Sequence, residues 1–173
     1  NKKVAVIGSG ATAVTLIPEI AKKASHVTMI QRSPTYIASV PSKYKILHLL
    51  NYISPKLGYK IIRFTNILRQ RRILRRARRS PELVKDYLLD LVRDELPGFD
   101  IEKHFTPSYN PWEQRLCLAP DSDFFESINQ KRVSIETETI DSFLEKGVLL
   151  DSGKLIEADI IVTATGIKLQ NFG

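Results

Sequence analysis

Lys3-Val4-Ala5-Val6-Ile7-Gly8-Ser9-Gly10-Ala11-Thr12-Ala13 is the stretch on which the reading of the fold turns. The apolar run ending at Ile7 is short and does not alternate, as expected of a strand buried on both faces. Apolar residues then recur at helical spacing, at Val14, Ile17, Ile20, Ala21 and Ala24. A helix is therefore expected over residues 11–24, weakened or kinked at Pro18. His26-Val27-Thr28-Met29-Ile30-Gln31 reads as a second strand. Strand, helix and strand in quick succession form the βαβ unit of a parallel sheet.

The turn between strand and helix, Gly8-Ser9-Gly10-Ala11-Thr12-Ala13, has the form G-x-G-x-x-A. Its position directly after a strand and at the opening of a helix gives the motif its meaning. Gly8 permits a tight turn, Gly10 lets a pyrophosphate approach the backbone, and Ala13 allows the helix to pack close to the strands. The start of the helix offers unpaired N–H groups and the positive end of its dipole to phosphates. A tight turn with no ligand is the plainer alternative.

The tip of the second strand selects among dinucleotides. A carboxylate there would bond the adenosine ribose of NAD or FAD. This strand ends Gln31-Arg32-Ser33. The planar guanidinium of Arg32 suits a 2′-phosphate, and Ser33 adds a hydroxyl donor, so NADP is the expected ligand. A solvated surface arginine is the alternative. Near the end of the chain, Asp159-Ile160-Ile161-Val162 reads as a final buried strand closed by Thr163-Ala164-Thr165-Gly166. That small turn suits a close approach of backbone to a ligand or another segment.

Between these sheet elements lies a long, basic interruption. Residues 34–115 are expected to be a mostly helical insertion, far longer than an ordinary crossover needs. Ser42 is a candidate cap for a helix reaching Asn51. Leu57, Ile61, Phe64 and Leu68 lie at helical spacing, giving the next helix one apolar stripe. A further helix follows Pro81, with Val84, Tyr87, Leu88 and Leu91 on one side, and stops at Pro97-Gly98. Beyond the insertion, residues 121–130 read as a short amphipathic helix and Val133-Ser134-Ile135 as a sheet strand. Residues 140–156 alternate around Lys146-Gly147 and Ser152-Gly153, the pattern of a small antiparallel meander.

The chain has 173 residues, 43% apolar and 26% charged, enough for one domain with a core. Its net charge of +7 is concentrated. Residues 60–79 carry Arg63, Arg69, Arg71, Arg72, Arg75, Arg76, Arg78 and Arg79 without an acid among them. This segment is read first as a solvated helix face meeting an anionic surface or the rest of the polypeptide. A peripheral membrane contact through residues 63–79 is a second reading. Nucleic-acid binding is a third, although only Tyr59 and Phe64 are at hand for base stacking. Cys117 stands alone, which excludes an internal disulfide and Cys-based metal sites and suits a reducing, cytoplasmic setting. His26, His48 and His104 are scattered and read as structural or surface residues, and no metal site is expected. The chain opens on Asn1 and closes on Asn171-Phe172-Gly173, both read as boundaries within a longer polypeptide.

Taken together, Gly8 to Ala13, Gln31-Arg32-Ser33-Pro34 and Thr163-Ala164-Thr165-Gly166 resemble the second Rossmann domain of flavin-containing and Baeyer–Villiger monooxygenases. The segment Lys103-His104-Phe105-Thr106-Pro107-Ser108-Tyr109-Asn110-Pro111-Trp112-Glu113-Gln114-Arg115-Leu116-Cys117-Leu118 is more specific. It is similar to the Baeyer–Villiger subgroup that contains the ethionamide-activating monooxygenase. The resemblance extends over almost the whole chain. It implies an NADP-binding α/β domain: a Rossmann-like doubly wound parallel sheet with a helical insertion and a small antiparallel β-meander. In that family NADPH reduces FAD, and the reduced flavin delivers one oxygen of O₂ to a ketone or to a thioether or thioamide sulfur.

The resemblance also implies roles. Gly8, Ser9, Gly10, Ala11, Thr12 and Ala13 would carry the pyrophosphate, Arg32 and Ser33 the 2′-phosphate, and Thr165 and Gly166 belong to the cofactor-binding turn. Arg115 falls where the family has an active-site arginine that steadies the oxygenated flavin and the nicotinamide. Relatives often carry lysine at the preceding position, which here is Gln114. Neither an FAD-type glycine turn nor the family's fingerprint of Phe, Gly, His and Trp precedes the first strand. The FAD-binding domain is therefore expected elsewhere in the same polypeptide, and the chain by itself is expected to be inactive. Two other classes stay open at this point: an NADP-dependent flavoprotein reductase domain, and a non-catalytic NADP-binding or nucleic-acid-binding module. Trp112 and Tyr109 are equally candidates for lining a substrate pocket and for packing a loop.

Overall fold

The computed structural model describes residues 2–42, 54–114 and 116–166. The helix expected between Ser42 and Asn51, Arg115, and the closing residues 171–173 lie outside these. β1 (Lys3–Ile7), α1 (Ala11–Ala21) and β2 (His26–Gln31) form the expected βαβ unit. Helix α1 ends three residues sooner than its apolar spacing suggests. Pro18 lies buried inside it without breaking it. With β5 (Val133–Thr137) and β9 (Ile160–Thr163) these strands make a four-stranded sheet in the order β5-β2-β1-β9, every pair parallel. The order grows outward from β1 to β2 and β5, then reverses to place β9 on the other side of β1. That reversal is the switch point at which open α/β sheets hold their ligands.

The unbroken apolar character of the strands follows from cover on both faces. Val4, Val6, Val27, Met29, Val133 and Ile135 point into one core with Val14 and Ile17 of α1. The same core takes Phe105 from α4 (Ile101–Phe105) and Phe124 and Phe125 from α5 (Asp123–Asn129). Ala5 and Ile30 point the other way, onto Val148, Leu150 and Ile156. Those three belong to the expected meander, β6 (Ile140–Leu144), β7 (Gly147–Leu150) and β8 (Leu155–Glu157), paired antiparallel in that order. On this second face a small sheet stands where a helix layer would be usual.

The interruption contains more strand than its sequence suggests. β3 (Tyr36–Val40) lies just past Pro34 and pairs in parallel with β4 (Leu116–Pro120), register Tyr36 to Leu116 through Val40 to Pro120. Between them run α2 (Pro55–Arg79), α3 (Pro81–Glu95) and α4. Ser54 caps α2 by accepting from the Leu57 N–H, and Asp100 caps α4 by accepting from the Lys103 N–H. On α3 the buried side is Val84, Leu88, Leu89 and Val92, whereas Tyr87 is 62% exposed. Spacing alone groups Tyr87 with Val84, Leu88 and Leu91. Leu89 and Val92 take the inner side instead, where they meet the sheet-side core.

The apolar stripe that spacing places on α2 turns outward: only Gly58 and Ala77 of this helix are buried, and Leu57 and Phe64 are 52% and 62% exposed. Contact is made through Ala77, which packs with Tyr36, Ala38, Val84 and Leu88. The final strand is not buried: Ile160 and Ile161 of β9 are 47% and 36% exposed because β9 is an edge strand of this sheet. The aromatic cluster on the helix side, by contrast, is tightly placed. The Phe105 ring meets Phe99 and Phe125, and Phe125 meets Phe124 edge-on at 5.6 Å. Phe105→Ala should cost about 3–5 kcal/mol of stability in chemical denaturation, whereas Phe64→Ala should stay within about 0.5 kcal/mol of wild type.

Candidate functional site

The site is assembled at the carboxyl ends of three neighbouring strands. β1 delivers Gly8, β2 delivers Arg32 and Ser33, and β9 delivers Thr165 and Gly166. The registers Ile7 to Ile30 and Ile7 to Thr163 bring these ends level with one another. Gly8 is held between its neighbours. Its N–H donates to the Ile30 carbonyl at 2.8 Å, and the Ala164 N–H donates to the Ile7 carbonyl at 2.7 Å. Gly8 has φ +124°, and a Cβ placed on it would stand 2.4 Å from the Ala164 carbonyl oxygen. A side chain is therefore excluded twice over, by the backbone conformation and by the approach of the strand beside it.

Gly10 caps α1 in an extended conformation with no side-chain hydrogen bond to the helix, and the first turn of α1 carries no acid. The leading N–H groups of α1 have no partner from a capping side chain, and no carboxylate of that first turn opposes an anion there. Ala11 and Thr12 are exposed, while Ala13 is fully buried against the sheet. A helix start of this kind offers its unpaired N–H groups to an anion. The Ser9 hydroxyl is turned inward instead. It lies 2.8 Å from the Thr35 hydroxyl and donates to the Ser33 carbonyl at 3.4 Å. The buried Cys117 thiol donates to the Ser9 carbonyl at 3.7 Å. Ser9 thus ties the glycine turn to the loop after β2, and the buried Cys117 packs beneath that turn.

Arg32 and Ser33 are exposed. Among the described residues the Arg32 guanidinium takes part in no ion pair, so its charge is free to meet an anion. The residue before it is anchored. Gln31 is 2% exposed, and its amide nitrogen donates to the His104 carbonyl and to the Thr137 hydroxyl, both at 2.8 Å. His104 Nδ1 lies 2.7 Å from the same hydroxyl. This network of Gln31, His104 and Thr137 locks the end of β2 to α4 and β5. This network escapes sequence reasoning, its one signal being Gln31, an amide directly after the apolar pair Met29-Ile30.

Thr165 and Gly166 are exposed at the end of β9, and Gly166 has φ +105°. Glycine turn, arginine and terminal turn thus share one edge. Arg115 lies outside the described residues, so it cannot be counted with them. Just before it the loop is tightly built. Glu113 accepts from the Asn110 N–H at 2.9 Å and from its side-chain amide at 3.1 Å, holding the Glu113 carboxyl below its ordinary pKa. Trp112 is 41% exposed at φ +68°, a region bulky residues rarely occupy. Tyr109 packs its ring edge-on against Tyr36 at 5.5 Å and accepts the Tyr36 hydroxyl on its carbonyl at 2.8 Å. Burial pushes the Tyr36 hydroxyl up to about 12. Of the two aromatic candidates, Tyr109 is a packing residue and Trp112 has its ring in the open.

No protein-family model matches the chain. Similarity to individual proteins is extensive. The chain is 49% identical over 175 residues to the probable FAD-binding monooxygenase AlmA of Acinetobacter baylyi, which covers 100% of the chain and 35% of that protein. It is 47% identical over 175 residues to the FAD-containing monooxygenase EthA of Mycobacterium tuberculosis, covering 99% of the chain and 36% of that protein. The chain therefore spans about a third of the length of these relatives. In three dimensions it resembles an oxidised steroid monooxygenase bound to NADP, with a TM-score of 0.73 at 18% identity over 96% of the chain and 39% of that protein. It also resembles OTEMO in complex with FAD and NADP, with a TM-score of 0.72 at 18% identity over 97% of the chain and 38% of that protein. At such low identity the structural likeness establishes the fold.

Two outcomes follow from this geometry. Gly8→Ala should lower stability by about 2 kcal/mol or more, read from denaturant midpoints, and weaken dinucleotide binding with it. His104 is held below its ordinary pKa of 6.5, first by burial and then by the charge of Lys103. Its folded-state pKa is the lower one, so the unfolded chain binds its proton first as pH falls. Stability should be fully present above 6.5 and decline as pH drops from there through the folded-state value. His104→Gln should flatten that part of a stability profile against pH.

Proposed function

We propose that this chain is the NADPH-binding domain of an FAD-dependent monooxygenase that oxygenates ketones or thioether and thioamide sulfur. The observation that carries the reading is the exposed guanidinium of Arg32, without a carboxylate partner among the described residues, at the strand tip beside a glycine turn. A ribose-binding acid at that place would select the unphosphorylated nucleotide, and an arginine fork matches a 2′-phosphate. The N–H groups around Gly8, Ser9, Gly10, Ala11, Thr12 and Ala13 would hold the pyrophosphate, and Ser33 would join Arg32 at the 2′-phosphate. Thr165 and Gly166 would border the nucleotide from the β9 side. NADPH would supply a hydride to the flavin. The chain's own work is to bind, orient and select the nucleotide.

The similarity of this whole chain to about a third of each FAD-containing relative supports a partner domain in the same polypeptide that binds the flavin. Residues 34–115 would form an insertion within the nucleotide domain, entered through β3 and left through β4. Arg115, one residue before β4, would act beside the flavin. Without the flavin domain the chain would bind NADP and catalyse nothing. A cytoplasmic setting belongs to this reading, supported by the single, buried thiol Cys117.

Titration calorimetry of the chain with NADP and NAD tests the reading. NADP should bind more tightly, and Arg32→Ala should weaken NADP by roughly thirtyfold while leaving NAD within about twofold. An unchanged preference in Arg32→Ala would remove Arg32 from the site and the reading with it.

A further inference from the structure

The outward face of α2 plays no part in the nucleotide site, and it is built in two halves. Leu57, Ile61, Phe64 and Leu68 stand four, three and four residues apart, which places them on one stripe of a helix. Leu57, Ile61 and Phe64 are 52%, 39% and 62% exposed. The same stripe continues through Arg71 and Arg75, both exposed. The helix as a whole holds ten cations and no acid over 25 residues, a length of about 37 Å. None of the six ion pairs among the described residues includes one of its side chains. In the sequence no Asp or Glu occurs between Glu19 and Glu82.

Uncompensated like charges at helical spacing repel one another and weaken the helix that carries them. Large apolar side chains left in water forgo about 1.5–3 kcal/mol each of burial. A surface that is anionic outside and apolar just beneath satisfies both features at once. We propose that α2 lies flat on an anionic lipid bilayer. Leu57, Ile61 and Phe64 enter the boundary between headgroups and acyl chains, and Arg71, Arg75 and their neighbours meet lipid phosphates. A nucleic acid would satisfy the cations alone. Its bases stack on aromatic rings, and the two that α2 exposes, Tyr59 and Phe64, stand five residues apart on different sides of the helix, so the stripe itself is mostly aliphatic. The contact is peripheral, because no described helix is long and apolar enough to cross a membrane.

The test uses the complete polypeptide that carries this chain, and vesicles of phosphatidylcholine alone or with about a third phosphatidylglycerol. Co-sedimentation at low salt should show binding to the anionic vesicles at least about tenfold above the neutral ones, with release at about 0.5 M salt. The double variant Arg71→Gln/Arg75→Gln and the double variant Leu57→Ser/Phe64→Ser should each weaken binding about tenfold. Arg71→Lys/Arg75→Lys should retain it. All four side chains are exposed, so circular dichroism of each variant should match wild type. Three results would overturn the proposal: equal binding to neutral and anionic vesicles, no binding to either, or anionic binding that Leu57→Ser/Phe64→Ser leaves untouched. The last, together with capture of a single-stranded oligonucleotide that persists at physiological salt, would assign the helix to nucleic acid.

Discussion

The carboxyl edge of the sheet depends on how closely two backbones can pass at Gly8. The Ala164 carbonyl stands where a Cβ would be, and the Gly8 N–H reaches the Ile30 carbonyl on the opposite side. One residue without a side chain thus lets β1 sit between β2 and β9 right to the strand ends. Only then can α1 start immediately above the sheet, with its first N–H groups facing the crevice opened by the change of direction at β1. The turn is a packing device first, and that packing is what brings the uncapped start of α1 to the strand ends.

The neighbouring loop is stabilised with a similar economy. Ser9 uses its hydroxyl to bind Thr35 and Ser33, and Gln31 binds His104 and Thr137 beneath Arg32. Both networks lie on the core side of the strand ends and leave the outer side to Arg32 and Ser33. A guanidinium on a flexible stem gains selectivity only where the backbone beneath it is fixed, because less freedom is then lost when it meets its anion. The apolar cluster of Phe105, Phe124 and Phe125 supplies that rigidity from below.

Two exposed apolar regions among the described residues differ in character. β9 shows Ile160 and Ile161 at the edge of the sheet formed by the described residues, and the relatives that this chain matches are about three times as long. The stripe on α2 lies on a helix whose backbone groups are satisfied and whose other residues are cationic. An open sheet edge invites more protein. A charged helix face with apolar side chains along it invites an interface between water and lipid.

The sequence by itself determined the βαβ unit, the glycine turn, the arginine at the tip of β2 and the meander, because each rests on a local signal: an apolar run, a residue without a Cβ, or a two-residue alternation. The resemblance to flavin monooxygenases also came from short motifs whose chemistry is local, and the full-length similarity to AlmA and EthA agrees with it. Only the tertiary structure decided what required a distant partner. β3 is a strand because β4, some eighty residues later, pairs with it. Tyr87 faces water because Leu89 and Val92 claim the core, and the stripe of α2 turns outward because the helix touches its neighbours through Ala77. Periodicity tells which residues share a face. Which way that face points is fixed by long-range packing, to which a local pattern is blind.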